Sequence, residues 1–307
     1  MADVRQVWID CDPGIDDAMA IWLALASEAE LSVRAITAVS GNLPLQTTER
    51  AARELVAFAG RPDIPVHKGA ARPLTIAPHF AEHVHGANGL GNVSLDGELA
   101  PLAHGNGVTV LPRAIGKELG LAVVAVGPLT DIAISYDLEP EAMKALSELV
   151  VMGGAIETGN VTPHAEFNVF ADPEAWHVVV EAGLNPVIFP LETTHQALVT
   201  QAMIDDLAAR GGRVAEAAAK MLTFYNEAVG AKYGGVHIHD AMAMAWLIWP
   251  ELFEVQAAEV RVDTSSGEER GRTRFDFGSS SPNCRVATKV DASTFTNRLF
   301  DRLASLG

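Results

Sequence analysis

Cysteine is nearly missing from this chain: only Cys11 and Cys284 occur, in unrelated contexts. A disulfide framework needs a larger spaced set, and a zinc site needs pairs such as Cys-x-x-Cys, so neither is expected. Cys11 reads as a small buried packing residue rather than a nucleophile. Basic side chains are also scarce: 22 Lys and Arg stand against 39 Asp and Glu, a net charge of −17. A phosphate backbone must be neutralised by cations, so this balance argues against nucleic acid as a partner. It argues equally against an anionic membrane surface, and no apolar run is long enough to span a bilayer. The start, Met1-Ala2-Asp3-Val4-Arg5, lacks the basic and apolar regions of a secretory signal, so a cytoplasmic location is expected. No P-loop occurs, and Gly86-x-x-Gly89-x-Gly91 has the wrong spacing for a dinucleotide fingerprint.

Apolar side chains are plentiful. They make up 49% of the 307 residues, with 20% charged, as in a globular protein with a large core. Apolar strands are expected at 6–11, 32–39, 65–68, 121–126, 149–152 and 185–190. Helices are expected at 16–27, 45–59 and 239–248. Residues 202–233 read as helical with a break at Gly211-Gly212. Residues 254–290 return to strand-like alternation around a turn at 265–267, and 292–303 form a final amphipathic helix. Alternating units of this kind imply α/β architecture: an open, mostly parallel, Rossmann-like sheet flanked by helices, with ligands at the strand ends. No linker or repeat interrupts the pattern, so one domain over 1–307 is expected. Residues 70–107 stand apart, with several prolines and glycines, four histidines and little periodicity. Long irregular segments inside compact domains are often functional.

The densest chemistry lies at Val7-Trp8-Ile9-Asp10-Cys11-Asp12-Pro13-Gly14-Ile15-Asp16-Asp17. Four carboxylates close an apolar strand and open an apolar helix. Charges so close repel unless a cation sits among them, and a hard divalent ion with oxygen ligands suits the set. Pro13-Gly14 forces a turn, and Gly14 offers backbone freedom. Asp16 and Asp17 favour the positive end of the helix. Further polar groups follow other strands: Ser40-Gly41-Asn42, Asn160 with Glu166-Phe167-Asn168, and His237-Ile238-His239-Asp240. Amides and carboxylates converging at one edge suit the hydroxyls of a sugar. Taken alone, Asp240 would be an ordinary N-cap and His239 a satisfied core histidine.

Together these motifs resemble the nucleoside hydrolase family, the inosine–uridine-preferring N-ribohydrolases. The Asp-Cys-Asp-Pro-Gly-Ile-Asp-Asp run is the most specific match. His85-Gly86, Val126-Gly127-Pro128-Leu129-Thr130, Val151-Met152-Gly153-Gly154, Thr194-His195-Gln196 and His239-Asp240 follow in order. The resemblance implies calcium-dependent hydrolysis of the N-glycosidic bond of inosine and uridine in nucleoside salvage. A uridine- and cytidine-preferring enzyme is the alternative. It implies a Ca²⁺ held by Asp12, Asp17, Asp240 and the carbonyl of Val126, with Asp10 also at the metal site. Asp16, Asn160, Glu166, Asn168 and Asp240 would grip the ribose, with Met152 packed nearby. Asp12 would act as general base, Asn42 would position the water, and His239 would assist the leaving base. His85 would lie in the loop that meets the base. A homodimer or homotetramer is implied as well. Two positions depart from the family pattern: Asp131 stands where Asn is usual, and Glu192 where Asp is common.

Overall fold

A computed structural model of the chain describes residues 4–118 and 120–306; residues 1–3 of the N-terminal reading lie outside it. The first strands are β1 (Arg5–Cys11), β2 (Leu31–Ala38), β3 (Val66–Lys68) and β4 (Leu102–Asn106). Next come β5 (Ala122–Ala125), β6 (Glu148–Met152), β7 (Val187–Phe189) and the short pair β8 (Leu198–Val199) and β9 (Val236–His237). The last are β10 (Phe253–Val262), β11 (Thr273–Asp276) and β12 (Cys284–Val290). Ten of them form one sheet in the order β11-β10-β12-β7-β6-β5-β1-β2-β3-β4. Every pairing from β12 across to β4 is parallel, and β10 runs antiparallel to β11 and β12.

The helices that position the site are α1 (Ile15–Leu25), α2 (Leu45–Phe58), the single turn α3 (Glu82–His85), α4 (Gly107–Ile115) and α5 (Thr130–Leu138). After α6 (Pro140–Met143) come α7 (Phe167–Ala171), α8 (Pro173–Glu181) and the single turn α9 (Leu191–Thr194). The last are α10 (Gln201–Arg210), α11 (Arg213–Tyr233), α12 (His239–Ile248) and α13 (Ala292–Ser305). The predicted break at Gly211-Gly212 separates α10 from α11. Both glycines have positive φ, 78° and 92°, which a helix cannot carry.

Strand periodicity sorts β1 between two cores. Val7, Ile9 and Cys11 join the core under α1, α11 and α12, while Trp8 joins the one on the other face with Leu111, Ile132 and Trp176. Helix α1 is apolar nearly all round, and every one of its residues is buried. Fully burying a side chain such as Ile21 or Leu23 contributes roughly 1.5–3 kcal/mol. That burial carries Asp16 and Asp17, in its first turn, into the interior. The irregular segment 70–107 contains α3 and the edge strand β4, neither of which is predicted from its sequence. Leu102-Ala103-His104-Gly105-Asn106 has no buried member, so β4 owes its conformation to pairing with β3 rather than to an apolar pattern.

Candidate active site

Strand order runs outward from β1 to β4 on one side and from β5 to β7 on the other. It therefore reverses between β1 and β5, and a crevice opens beyond the carboxyl ends of strands at such a point. Asp12 leaves β1 there, Asn42 follows β2, and Val126 follows β5. Asp16 and Asp17 enter from α1, His239 and Asp240 from α12, and Glu166 and Asn168 from the start of α7. Of these, Asp16, Asn42, Val126, Glu166, Asn168, His239 and Asp240 line a cavity of about 560 Å³.

The floor is acidic. Asp16, Asp17 and Asp240 each offer an oxygen, all within 4.8 Å of one another. Asp17 accepts from the backbone N–H of Gly14 at 2.9 Å and of Asp12 at 3.1 Å. Asp12 Oδ2 accepts from the N–H of Asn42 at 2.6 Å, while its Oδ1 is buried without a partner. The Asn42 side-chain amide donates to the Asp12 carbonyl at 3.2 Å. Gly41 lets this loop approach: a Cβ there would lie 2.1 Å from Asp12 Oδ2. Asp240 caps nothing, because the N-cap of α12 is Ile238 and no side chain fills that role. Its carboxyl pairs with Asp17 instead. Burial, then mutual repulsion, raises Asp12 and Asp240 well above the carboxylate range and Asp16 to about 8. Burial also raises Asp17, but only to about 6, because backbone N–H groups stabilise its charge. Four buried acids with one orphaned oxygen among them fit a hard divalent cation, which would offset their repulsion.

Gly14 departs from expectation. Its φ is −104°, a conformation open to any residue, so backbone freedom is not why glycine stands there. Space is the reason, since a Cβ would lie 2.7 Å from the His85 ring and 2.9 Å from the Asn42 amide.

Asp10 lies apart from the floor acids. The alternation of β1 puts it on the face of Trp8, where α5 brings Asp131 against it. Neither Asp10 oxygen has a donor, and Asp131 Oδ2 has none, while Asp131 Oδ1 accepts from the N–H of Ala70 at 2.6 Å. Burial, eased by that bond, holds Asp131 at about 7, against about 4 for an aspartate in an unfolded chain. A raised value in the folded state contributes stability that is fully present below about pH 4 and is lost as pH rises through 7. Asp131→Asn would give Asp10 an amide donor at every pH. The variant is expected to melt of order 5 °C above the parent at pH 8, with the gap closing toward pH 5. A pH-independent gap in paired melting curves would contradict this account.

The sugar-side groups are held by main chain. Glu166 caps α7, accepting from the N–H of Asn168 at 2.9 Å and Val169 at 3.2 Å, and also from Gly154 at 3.0 Å. Burial raises it to about 7. The Asn168 amide donates to the Val126 carbonyl at 2.8 Å and the Met152 carbonyl at 3.2 Å. Met152 is buried and lines the cavity, whereas Asn160 is exposed at its rim. Glu192 anchors the loop that carries Asn160, accepting from the N–H of Ile156 and Glu157, each at 2.8 Å.

The opposite wall is aromatic and imidazole-rich. His85 is buried and its Nδ1 accepts from the N–H of Ile15 at 3.1 Å. The rings of His195, His237 and His239 lie 4.6 to 5.9 Å apart by centroid. Burial pushes His85 and His237 down to about 4 and lowers His239 well below its ordinary range, so all three are neutral at pH 7. Tyr225, Tyr233 and Lys232, all from α11, complete this wall. Sequence reasoning gave no role to Tyr225 or Tyr233, and named His237 only within the polar run that leads to Asp240. The helical period of α11 reads as core packing and carries no mark of which face meets a cavity.

An acidic floor facing a neutral imidazole wall, at the carboxyl edge of a mostly parallel sheet, defines an α/β protein with a polar ligand site at its strand ends. A family model described as inosine-uridine preferring nucleoside hydrolase matches residues 7–297, and the chain belongs to that family. It is 37% identical over 303 residues to a pyrimidine-specific ribonucleoside hydrolase, RihA, of Salmonella gallinarum, covering 96% of this chain and 97% of that one. Among solved structures it resembles a purine-preferring ribonucleoside hydrolase from Gardnerella vaginalis (TM-score 0.92, 28% identity, 98% and 99% of the two chains). It also resembles a plant nucleoside hydrolase (TM-score 0.91, 31% identity, 98% and 99%). The protein is a ribonucleoside N-glycosyl hydrolase.

Proposed function

We propose that this protein hydrolyses inosine and uridine to ribose and free base in a calcium-dependent reaction serving nucleoside salvage. The observation that carries this reading is the convergence of Asp16, Asp17 and Asp240 within 4.8 Å, with Asp16 and Asp240 lining a cavity that His85 and His239 also line. Asp12, Asp17, Asp240 and the Val126 carbonyl would hold the ion. When bound, Ca²⁺ supplies positive charge that grips sugar hydroxyls and acidifies the attacking water.

Asp12 takes the proton of that water on Oδ1, the oxygen left free by Asn42. Asn42 stands beside it to orient the water. As the C–N bond lengthens, the sugar gains oxocarbenium character, which Asp16, Glu166 and the other buried acids stabilise. Asn160 and Asn168 would bind ribose hydroxyls. The departing base gains negative charge, and His239, which burial keeps neutral, would assist its departure as a hydrogen-bonding partner rather than by losing a proton. The chain would act as one domain in a cytoplasmic homodimer or homotetramer, as the family resemblance suggests.

A uridine- and cytidine-preferring enzyme is the second reading, favoured by the 37% identity to a protein named pyrimidine-specific. Ribose release from inosine, uridine, cytidine, adenosine and guanosine with calcium present separates the two. Inosine turnover comparable to uridine supports the first reading, loss of inosine alone supports the second, and no release from any substrate overturns both.

Calcium and protons compete for the same oxygens, because Asp17 at about 6, and Asp12 and Asp240, which burial raises well above the carboxylate range, must ionise to bind it. Saturating Ca²⁺ is therefore expected to raise Tm more at pH 8 than at pH 6. At about a hundredfold excess over Kd the gain is about 2.7 kcal/mol. Equal shifts at both pH values, or none that a chelator reverses, would contradict the site.

A further inference from the structure

We infer that His85 is a positioning residue of the acidic floor: from the end of α3 it locks the start of α1, and with it Asp16 and Asp17, against the turn that carries Asp12. The inference rests on the cation role proposed for that floor. The first N–H groups of a helix have no acceptor within it. At α1 the N-cap is Gly14, which has no side chain to supply one. His85 supplies it from 70 residues away, with Nδ1 lying 3.1 Å from the N–H of Ile15. A backbone N–H can only donate, so Nδ1 is the acceptor. Both residues are buried, so water does not compete for the bond.

Ile15 is followed directly by Asp16 and Asp17. Asp17 in turn accepts from the N–H of Gly14 and of Asp12, so turn and helix start form one hydrogen-bonded unit, which His85 closes from outside. The segment around His85 is seated on this unit at two further points. The N–H of Ala81 donates to the carbonyl of Asn42 at 2.8 Å, and the backbone N–H of Asn42 holds Asp12 Oδ2. Gly89 has a φ of +82°, and a Cβ there would lie 2.6 Å from the Pro13 carbonyl oxygen. Contacts on Asn42, Pro13 and Ile15 thus brace the turn along its length. The braced groups are those whose spacing decides whether Asp12, Asp17 and Asp240 can share one ion. Groups that hold metal ligands in place in this way contribute about 10- to 100-fold in metal affinity.

The test is calorimetric titration of the full chain with Ca²⁺, without substrate. His85→Leu removes the acceptor at similar bulk, whereas His85→Asn keeps one, because its Oδ1 can take the place of Nδ1. His85→Leu is expected to raise the Kd for Ca²⁺ about 10- to 100-fold, and His85→Asn to stay within about threefold of the unmutated protein. An unchanged Kd in His85→Leu, with only a lower Tm in chelator, would mean that the ring supports general stability and would overturn the inference. Equal loss in both variants would overturn it too. Scalar coupling between the Ile15 amide nitrogen and His85 Nδ1, measured on ¹⁵N-labelled unmutated protein, reads the bond directly even if the Leu variant fails to fold. Its presence supports the assignment and its absence overturns it. If the unmutated protein takes up no calcium, the cation reading fails, while the coupling still judges whether His85 holds the start of α1.

Discussion

Replacing Asp12 by alanine is expected to lower kcat about 10³-fold or more, the scale of losing a general base together with part of a cation's cradle. The backbone N–H of Asn42 occupies one oxygen of this carboxylate at 2.6 Å, while the other is buried without a partner. A buried acceptor with no donor is costly unless a ligand satisfies it. Here the proposed ligands are the water that attacks and the ion beside it. Asp12→Asn is the finer probe, because it keeps the shape and removes the basicity. Calcium content and turnover must be measured on the same preparation. Near-normal turnover in a calcium-loaded Asp12→Ala protein would sink the assignment of Asp12 as base.

His239→Ala is expected to lower kcat on inosine or uridine about 10²- to 10⁴-fold and to leave p-nitrophenyl riboside nearly unchanged. The physical reason is the charge on the leaving base, which a hydrogen-bonding group must stabilise unless the leaving group is already stable as an anion. Burial keeps the imidazole neutral across the range where the enzyme would be assayed. Its rate contribution should then be nearly flat from pH 6 to 8, and any alkaline rise should follow the floor acids, such as Asp17 at about 6. Comparable losses on both substrates would show that the ring supports structure rather than departure of the base.

Several elements of the fold are legible in local sequence because their cause is local. The helix expected at 239–248 is α12, His239–Ile248, and the first two expected strands match β1 and β2 within a residue at each end. Apolar runs bounded by turn residues are enough for such elements. Strand β4 is not legible, since five residues at a sheet edge, none of them buried, leave no periodic trace. The role of Glu192 is hidden for a related reason. Its carboxylate works on backbone N–H groups of residues 35 and 36 positions away in the chain, and those groups are the same in any sequence.

What the chain determines by itself is the stock of chemistry and the layering: four aspartates around one turn, amides after other strands, an imidazole beside Asp240, and alternating units that must pack as a parallel sheet. Which of those groups work together is decided by the tertiary structure. Asp10 and Asp12 are two residues apart, yet the first lies against Asp131 across the sheet and the second lies with Asp16 and Asp17 at the sheet edge. Asp240 reaches the same floor from more than two hundred residues away, because α1 and α12 pack against each other. The cause is geometric. A strand sends successive side chains to opposite faces, and only closure of the sheet and its helices brings distant carboxylates within the few ångströms over which charge and hydrogen bonding act.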